Sequence, residues 1–292
     1  MLPDIESIWG VRDEPAAATS TTWEVSAEYI LKRLKTERNA RNNVRLSAAL
    51  RREGVPVSDI IPTQDGRDYI VTPGGCYLLM KRLGGSHIRD IFHQDYQSIA
   101  YQTGIVAAKI HSALLAITDK QEDDGTPFDK ELQGWVSDTL SAGSLLAPEE
   151  WSGPVASLCA VYPRLPKQQI HRDIHYGNLL FEGTALTGVL DFDLGKRDAR
   201  LFDLAYFLLG QLLGQEDLEA VQEQWFAFID RFIEGYESLT ILDACERETL
   251  PLMMQCIELL FAAYWEQQGN REAGAETVNI FRFITRSYRG DF

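Results

Sequence analysis

Apolar and polar residues alternate in short runs near the start of the chain and recur at helical spacing further on. "TTWEV" (21–25) and "EYILKRL" (28–34) are rich in β-branched and aromatic residues and read as two strands, with Ser26-Ala27 between them as the turn. "TERNARNNVRLSAALRREG" (36–54) reads as a helix, with Thr36 as its N-cap and Gly54 just past its end, before Val55-Pro56. "RDYIVTPGGCYLLMKRL" (67–83) reads as a hairpin that turns at Gly74-Gly75. Residues 1–20 read as an irregular start. The first 80 or so residues therefore predict a small sheet plus one helix.

From Asp95 the period changes. Ile99, Val106, Ile110, Leu114 and Ile117 mark one face of a long helix. Residues 217–237 and 244–268 carry the same periodicity, and Gly269 is a natural stop. Between these helices, residues 170–193 hold two short strand-like pieces, "NLLFE" and "TGVLDFD", on either side of Gly183. The expected organisation is a small mixed lobe over residues 1–81 and a larger helical lobe over 82–292, joined through "MKRLGG".

Composition adds exclusions. Of 292 residues, 45% are hydrophobic and 24% charged, as in ordinary globular proteins. No apolar run approaches the ~20 residues needed to span a bilayer. "MLPDIESIWG" lacks a basic segment followed by an apolar one, so the expected location is cytoplasmic, with no membrane partner. Cys76, Cys159, Cys245 and Cys256 form no C-x-x-C pair, which predicts free thiols rather than a zinc or redox site. The net charge of −15, from 28 basic and 43 acidic residues, disfavours nucleic acid as a partner. It could attract a cationic ligand or simply keep the protein soluble.

The chemistry concentrates in "IHRDIHYGNLLFEGTALTGVLDFD" (170–193). A loop followed by a short hairpin would return Asp191 beside Asn178. One carboxylate and one amide oxygen suit Mg²⁺, which completes its octahedron with phosphate oxygens and water. Asp173 would then be left to accept a proton from an attacking hydroxyl. That is the layout of phosphoryl transfer, in which positioning and electrostatics carry most of the catalysis. H-R-D followed five residues later by Asn, then D-F-x, is also the protein-kinase pattern of catalytic loop and metal-binding Asp.

"HRDIHYGNLLF…GVLDFD", with "RLFDLAYFL" after it, resembles the motifs of the aminoglycoside phosphotransferase and choline kinase family of small-molecule kinases. The resemblance is most specific over residues 170–209 and extends more loosely from about residue 21 to the C-terminal helices. His175 and the second Asp of "DFD" favour this family over protein kinases. So do the lack of a G-x-G-x-x-G motif, the lack of an A-P-E after Asp193 to close an activation segment, and the short distance from Asp193 to the helical "FDLAYFLLG".

The resemblance implies an α+β, bilobal, protein-kinase-like fold, with a small β-rich N-terminal nucleotide-binding lobe and a larger, mainly helical C-terminal catalytic lobe. It implies ATP and Mg²⁺ as cofactors and a small-molecule acceptor hydroxyl. Asp173 would be the catalytic base, and Asn178 and Asp191 the metal ligands. Lys32 would contact the phosphates, with Lys35 as its competitor, and the backbone of Met80, Lys81, Arg82 and Leu83 would meet adenine. His171, His175, Asp193 and Asp203 are supporting candidates. His171 and His175 would hold the loop, Asp203 would brace it, and Asp193 would assist the metal or cap a turn. Arg172 is expected in an internal salt bridge and His111 in the packed core.

One position departs from the kinase pattern. Asn43 stands where a helix Glu would pair the strand lysine, which leaves that lysine's partner unassigned. On the acceptor side, Asp198, Glu258 and Glu266 could form a field for an amine. Glu258, Tyr264, Trp265 and Glu266 equally fit one amphipathic core helix. A nucleotide-binding module without transfer activity is the alternative function.

Overall fold

The computed structural model describes residues 2–89, 91–92, 95–118 and 125–287. The chain divides into two compact units. The first comprises Met1–Arg89 and Tyr176–Gly195, and the second comprises Asp90–His175 and Lys196–Phe292. The fold is α+β and bilobal.

The first unit is built on an antiparallel sheet. Its strands are β1 (Pro15–Ala17), β2 (Thr22–Val25), β3 (Tyr29–Leu34), β4 (Ile60–Ile61), β5 (Ile70–Thr72) and β6 (Gly75–Lys81). The order is β1-β2-β3-β6-β4, with β5 also paired to β6. Both predicted hairpins form. Ser26 takes the left-handed conformation in the first turn, and Thr72 faces Gly75 across the second.

Two helices accompany the sheet: α1 (Ile5–Trp9) and α2 (Glu37–Arg52). α2 begins where Thr36 Oγ1 accepts from the Asn39 amide at 3.2 Å, and Gly54 follows its end at φ 71°. α1 is a correction to the irregular start expected of residues 1–20. The Asp4 carboxylate caps it by accepting from Ser7 N. Its Ile5 and Trp9 join Val25, Leu31, Ile70, Tyr77 and Leu79 in one apolar cluster. One turn is too short to show a 3.6-residue period, and it is this burial that holds it.

Strand alternation then places Lys32. Leu31 belongs to that first cluster, whereas Leu34 packs with Ala40 of α2, Cys76 and Leu78. Lys32 is two residues from Leu34 and in register with Leu78, so it shares their face of the sheet. Each buried leucine contributes about 1.5–3 kcal/mol, so the register that directs Lys32 to this face is strongly fixed.

Residues 82–89 and 176–195 belong to this unit through a third hairpin, Leu179–Glu182 with Ala185–Val189. The segment after β6 pairs onto it. Ser86 N donates to Phe181 O at 3.0 Å, Phe181 N donates back to Ser86 O at 2.9 Å, and Thr187 Oγ1 donates to Gly84 O at 2.8 Å. The contacts therefore divide the chain differently from the expected split at 81/82. The hairpin's second strand ends at Val189, so the "DFD" segment lies beyond it rather than in it.

The second unit is mainly helical. It contains α3 (Tyr96–Leu115), α4 (Phe128–Glu131), α5 (Ser137–Ala142), α6 (Pro148–Val161), α7 (Leu201–Leu209), α8 (Gln222–Glu237), α9 (Ala244–Gln268) and α10 (Arg271–Ser287). α3 and α8 approach closely because Gly104 and Gly235 sit at their crossing. A Cβ on Gly104 would lie 2.0 Å from Phe232 O, and one on Gly235 would lie 2.0 Å from Tyr101 O. α9 ends at Gly269, at φ 65°. Lys167–Ile170 pairs antiparallel with Lys196–Ala199, in the register Lys196↔Ile170. The loop that starts at His171 leaves from the end of this ladder. All four cysteines are free. Among the described residues no helix is long and apolar enough to cross a membrane.

Candidate functional site

In the first unit, three distant segments meet. Lys32 Nζ lies 2.8 Å from Asp191 Oδ1 and 2.8 Å from Asp193 Oδ1. The lysine side chain is 9% exposed, Asp191 39% and Asp193 27%. Lys35 is exposed beyond the end of β3. Burial tends to raise both carboxyls, and the Lys32 ammonium opposes it. At Asp191 the ammonium and the contacts with Asp193 win, holding it below the usual carboxylate range. At Asp193 burial and the neighbouring Asp191 win, and it lies above that range.

Asn178 stands at the same end of the Leu179–Glu182/Ala185–Val189 hairpin as Asp191. Leu179 faces Val189, and Leu190 N donates to Asn178 O at 2.9 Å. This backbone bond keeps Asn178 next to the residue that precedes Asp191, the return that the hairpin spacing predicts. Asp191 adopts φ 62°, a left-handed conformation that costs a non-glycine residue on the order of 1–3 kcal/mol and recurs at functional sites. Among the described residues no group of three or more His, Cys, Asp or Glu could hold a metal ion. An ionised carboxylate with an amide beside it is a sparser, all-oxygen set. It fits a hard divalent cation that brings water and phosphate oxygens of its own.

The segment expected to meet adenine lies at the end of β6. The amides of Lys81 and Arg82 already donate to Asp59 O at 2.8 Å and Glu28 O at 2.6 Å. The Arg82 side chain pairs with Glu24. Of the four residues expected to meet adenine, Lys81 and Arg82 therefore have their amides engaged within the protein.

In the second unit, the loop 171–175 is held from α7. Asp203, at 0% exposure, accepts from His171 N at 2.9 Å and from Arg172 N at 2.7 Å. The buried His111 joins it, with Nε2 3.2 Å from Asp203 and Nδ1 2.8 Å from the Tyr236 hydroxyl. The two backbone bonds fix a loop in which Arg172 takes φ 67°. Arg172 also forms ion pairs with Glu131 and, at 3.2 Å, with Asp198. Asp173 N donates to His171 Nδ1 at 3.3 Å, and His175 Nε2 lies 3.7 Å from Asp173 Oδ1.

Tyr206 of α7 donates its hydroxyl to Asp173 Oδ1 at 3.0 Å. Burial, together with the Asp173 charge, pushes that phenol well up. Tyr206 stacks between Phe202 and Phe261. Sequence reasoning missed it. The one signal was its place three residues after Asp203, on the same helix face.

The acidic residues assigned to the acceptor field separate. Asp198 is buried between Arg172 and Lys196 and accepts from the Phe128 and Ala199 amides. It is committed inside the fold, which corrects its place in that field. Glu258 is buried too, and burial pushes its carboxyl up to about 8, so near neutral pH it is largely uncharged. Glu266 lines an open cavity of ≈ 370 Å³ together with Asp138, Thr139 and Gly143.

Comparisons with known proteins bear on the family and the fold. The phosphotransferase enzyme family matches residues 14–246. A homoserine kinase of Pseudomonas aeruginosa is 31% identical over 168 residues, which cover 56% of this chain and 51% of that protein. The match thus spans about half the length of that relative. A homoserine kinase of Zymomonas mobilis is 24% identical over 224 residues, covering 74% of this chain and 66% of its own. Among solved structures, an amicoumacin kinase in complex with AMP-PNP and Ca²⁺ superposes with a TM-score of 0.70. It has 17% identity, with coverage of 98% of this chain and 90% of that one. A choline/ethanolamine kinase family protein from Mesorhizobium loti gives a TM-score of 0.63 at 16% identity, covering 94% and 88%. These likenesses show a protein-kinase-like fold, and with residues 14–246 matched by the family, the chain belongs to the phosphotransferase enzyme family.

Proposed function

We propose that the protein transfers the γ-phosphoryl group of ATP, with Mg²⁺, to a hydroxyl of a small polar molecule that carries an amine. The observation that supports this most is the meeting of Lys32 with Asp191 at 2.8 Å, next to Asn178. A buried cation, an ionised carboxylate and an amide from three separate segments form a receptor for a metal-bound polyphosphate.

In this reading Asn178 and Asp191 hold the metal, which when bound offsets phosphate charge. Lys32 contacts the phosphates as a point charge. The Met80–Leu83 backbone meets the base through groups other than the Lys81 and Arg82 amides, which are engaged. Asp173 accepts the proton of the acceptor hydroxyl as its oxygen attacks the γ-phosphorus, and ADP leaves. Tyr206 and His175 orient the Asp173 carboxylate, and Asp203 and His171 hold its loop.

The amine follows from the relatives, which include homoserine kinases and a microcompartment-associated aminopropanol kinase, and from the acidic balance of the chain. With Asp198 committed internally and Glu258 largely neutral, Glu266 is the member of the acidic trio left to attract it.

A second reading, a nucleotide-binding module without transfer, draws on Asn43 standing where the kinase pattern has a Glu. Mg²⁺-dependent ADP release across a panel of amino alcohols and aminoglycosides separates the two. ADP release that rises with one acceptor supports transfer, and nucleotide binding with no release on any acceptor supports the module.

A further inference from the structure

Three asparagines of α2 grip the segment that follows Asp191. Asn39 Nδ2 donates to Asp193 O at 2.8 Å, Asn42 Nδ2 to Gly195 O at 3.0 Å and Asn43 Nδ2 to Asp193 Oδ1 at 2.7 Å. The oxygen that Asn43 reaches is the one that accepts from Lys32 Nζ. Helix amide, carboxylate and strand ammonium thus form one chain of hydrogen bonds. In the kinase pattern the helix itself supplies the carboxylate. Here it supplies a neutral donor, and an amide nitrogen cannot balance an ammonium.

We propose that Asp193 is the standing counter-ion of Lys32, a positioning residue that replaces a helix carboxylate and is itself held by Asn43 and Asn39. The proposal rests on the phosphotransferase reading for the task of Lys32. It divides the two acids of "DFD" by their surroundings. Asp191 is the more exposed and lies by Asn178, open to a cation. Asp193 is fixed by its backbone oxygen and by its side chain from the same helix, so it stays with the lysine. A buried ammonium without a carboxylate would be costly, and one with a mobile carboxylate would be poorly aimed. The asparagines remove that freedom, because a donor amide binds the carboxylate without competing for the lysine.

The arrangement predicts that the carboxylate can be moved. Asp193→Asn should weaken Mg·ATP binding, measured by calorimetry, about ten- to a hundredfold, the range for loss of a charged hydrogen bond. Adenosine binding should be unchanged. Asn43→Glu added to Asp193→Asn places a carboxylate on the helix, where the kinase pattern has it, and should restore most of the lost Mg·ATP affinity. A purely structural role for Asp193, or a role as metal ligand, would not be rescued from residue 43. Wild-type ATP affinity in Asp193→Asn overturns the proposal, as does a double variant that binds adenosine but shows no recovery for ATP. If Asp193→Asn does not fold, the double variant alone decides. Folding with ATP binding supports the proposal, and failure to fold counts against it. A wild-type protein that binds neither ATP nor adenosine would instead remove the phosphotransferase reading.

Discussion

Tyr206 donates its hydroxyl to Asp173 across 3.0 Å, so the carboxylate at the centre of the H-R-D loop is aimed by a helix 33 residues further along the chain. Removing a general base costs about 10²–10⁴-fold in rate. Asp173→Asn keeps the shape and a hydrogen-bonding partner for Tyr206 but cannot take a proton. Turnover should fall by that factor while nucleotide affinity stays near wild type. Turnover within a few-fold of wild type would reject Asp173 as the base.

Lys32 and Lys35 can be told apart by ligand charge. Lys32 is buried and paired with Asp191 and Asp193, whereas Lys35 is exposed. Lys32→Ala should lower affinity for ATP and spare adenosine, which has no phosphates. Lys35→Ala should change neither. The opposite ranking in a binding titration would place the phosphate contact past the end of β3.

Much of this was legible in the sequence, because short-range rules governed it. Hairpin chemistry placed β3, β5 and β6, Thr36 and Gly54 bounded α2, and the spacing of Asn178 and Asp191 anticipated a ladder bringing them together. What was missed depends on side chains that meet across long stretches of chain. Nothing local marks Asn39, Asn42 and Asn43 as ligands of residues 193–195, since exposed asparagines on a helix look the same. Asp198 looked like surface charge because the burying partners, Arg172 and Lys196, are contributed by a loop and by its own strand.

The α3–α8 crossing depends on two glycines. Gly104→Ala would set a methyl 2.0 Å from Phe232 O, and a backbone oxygen cannot rotate away. The better helix propensity of alanine, worth ~1 kcal/mol, should be outweighed by overpacking of about 1–3 kcal/mol or more. A lower melting temperature than wild type is expected. An unchanged or higher one would mean the helices have room to separate.

Glu258 should make stability fall as pH rises. Burial raises its folded value from 4.5 to about 8, so the folded state holds a proton that the unfolded chain releases. Stability from this group is complete below the unfolded value and declines through the interval between the two, at up to about 1.4 kcal/mol per pH unit. Glu258→Gln, neutral throughout, should flatten the decline in denaturant midpoint between pH 5 and pH 8. A decline as steep as wild type would show that other groups cause it.

The central claim is that Asp173, Asn178, Asp191 and Lys32 serve phosphoryl transfer. Phosphorus NMR of the full chain with ATP, Mg²⁺ and a panel of amino alcohols and aminoglycosides tests it most directly. The account predicts loss of the γ-phosphate signal matched by equal appearance of ADP and a phosphomonoester on one acceptor, requiring Mg²⁺ and nearly abolished by Asp173→Asn. ATP bound yet unchanged across the panel, or a phosphomonoester formed equally well by Asp173→Asn, would contradict it.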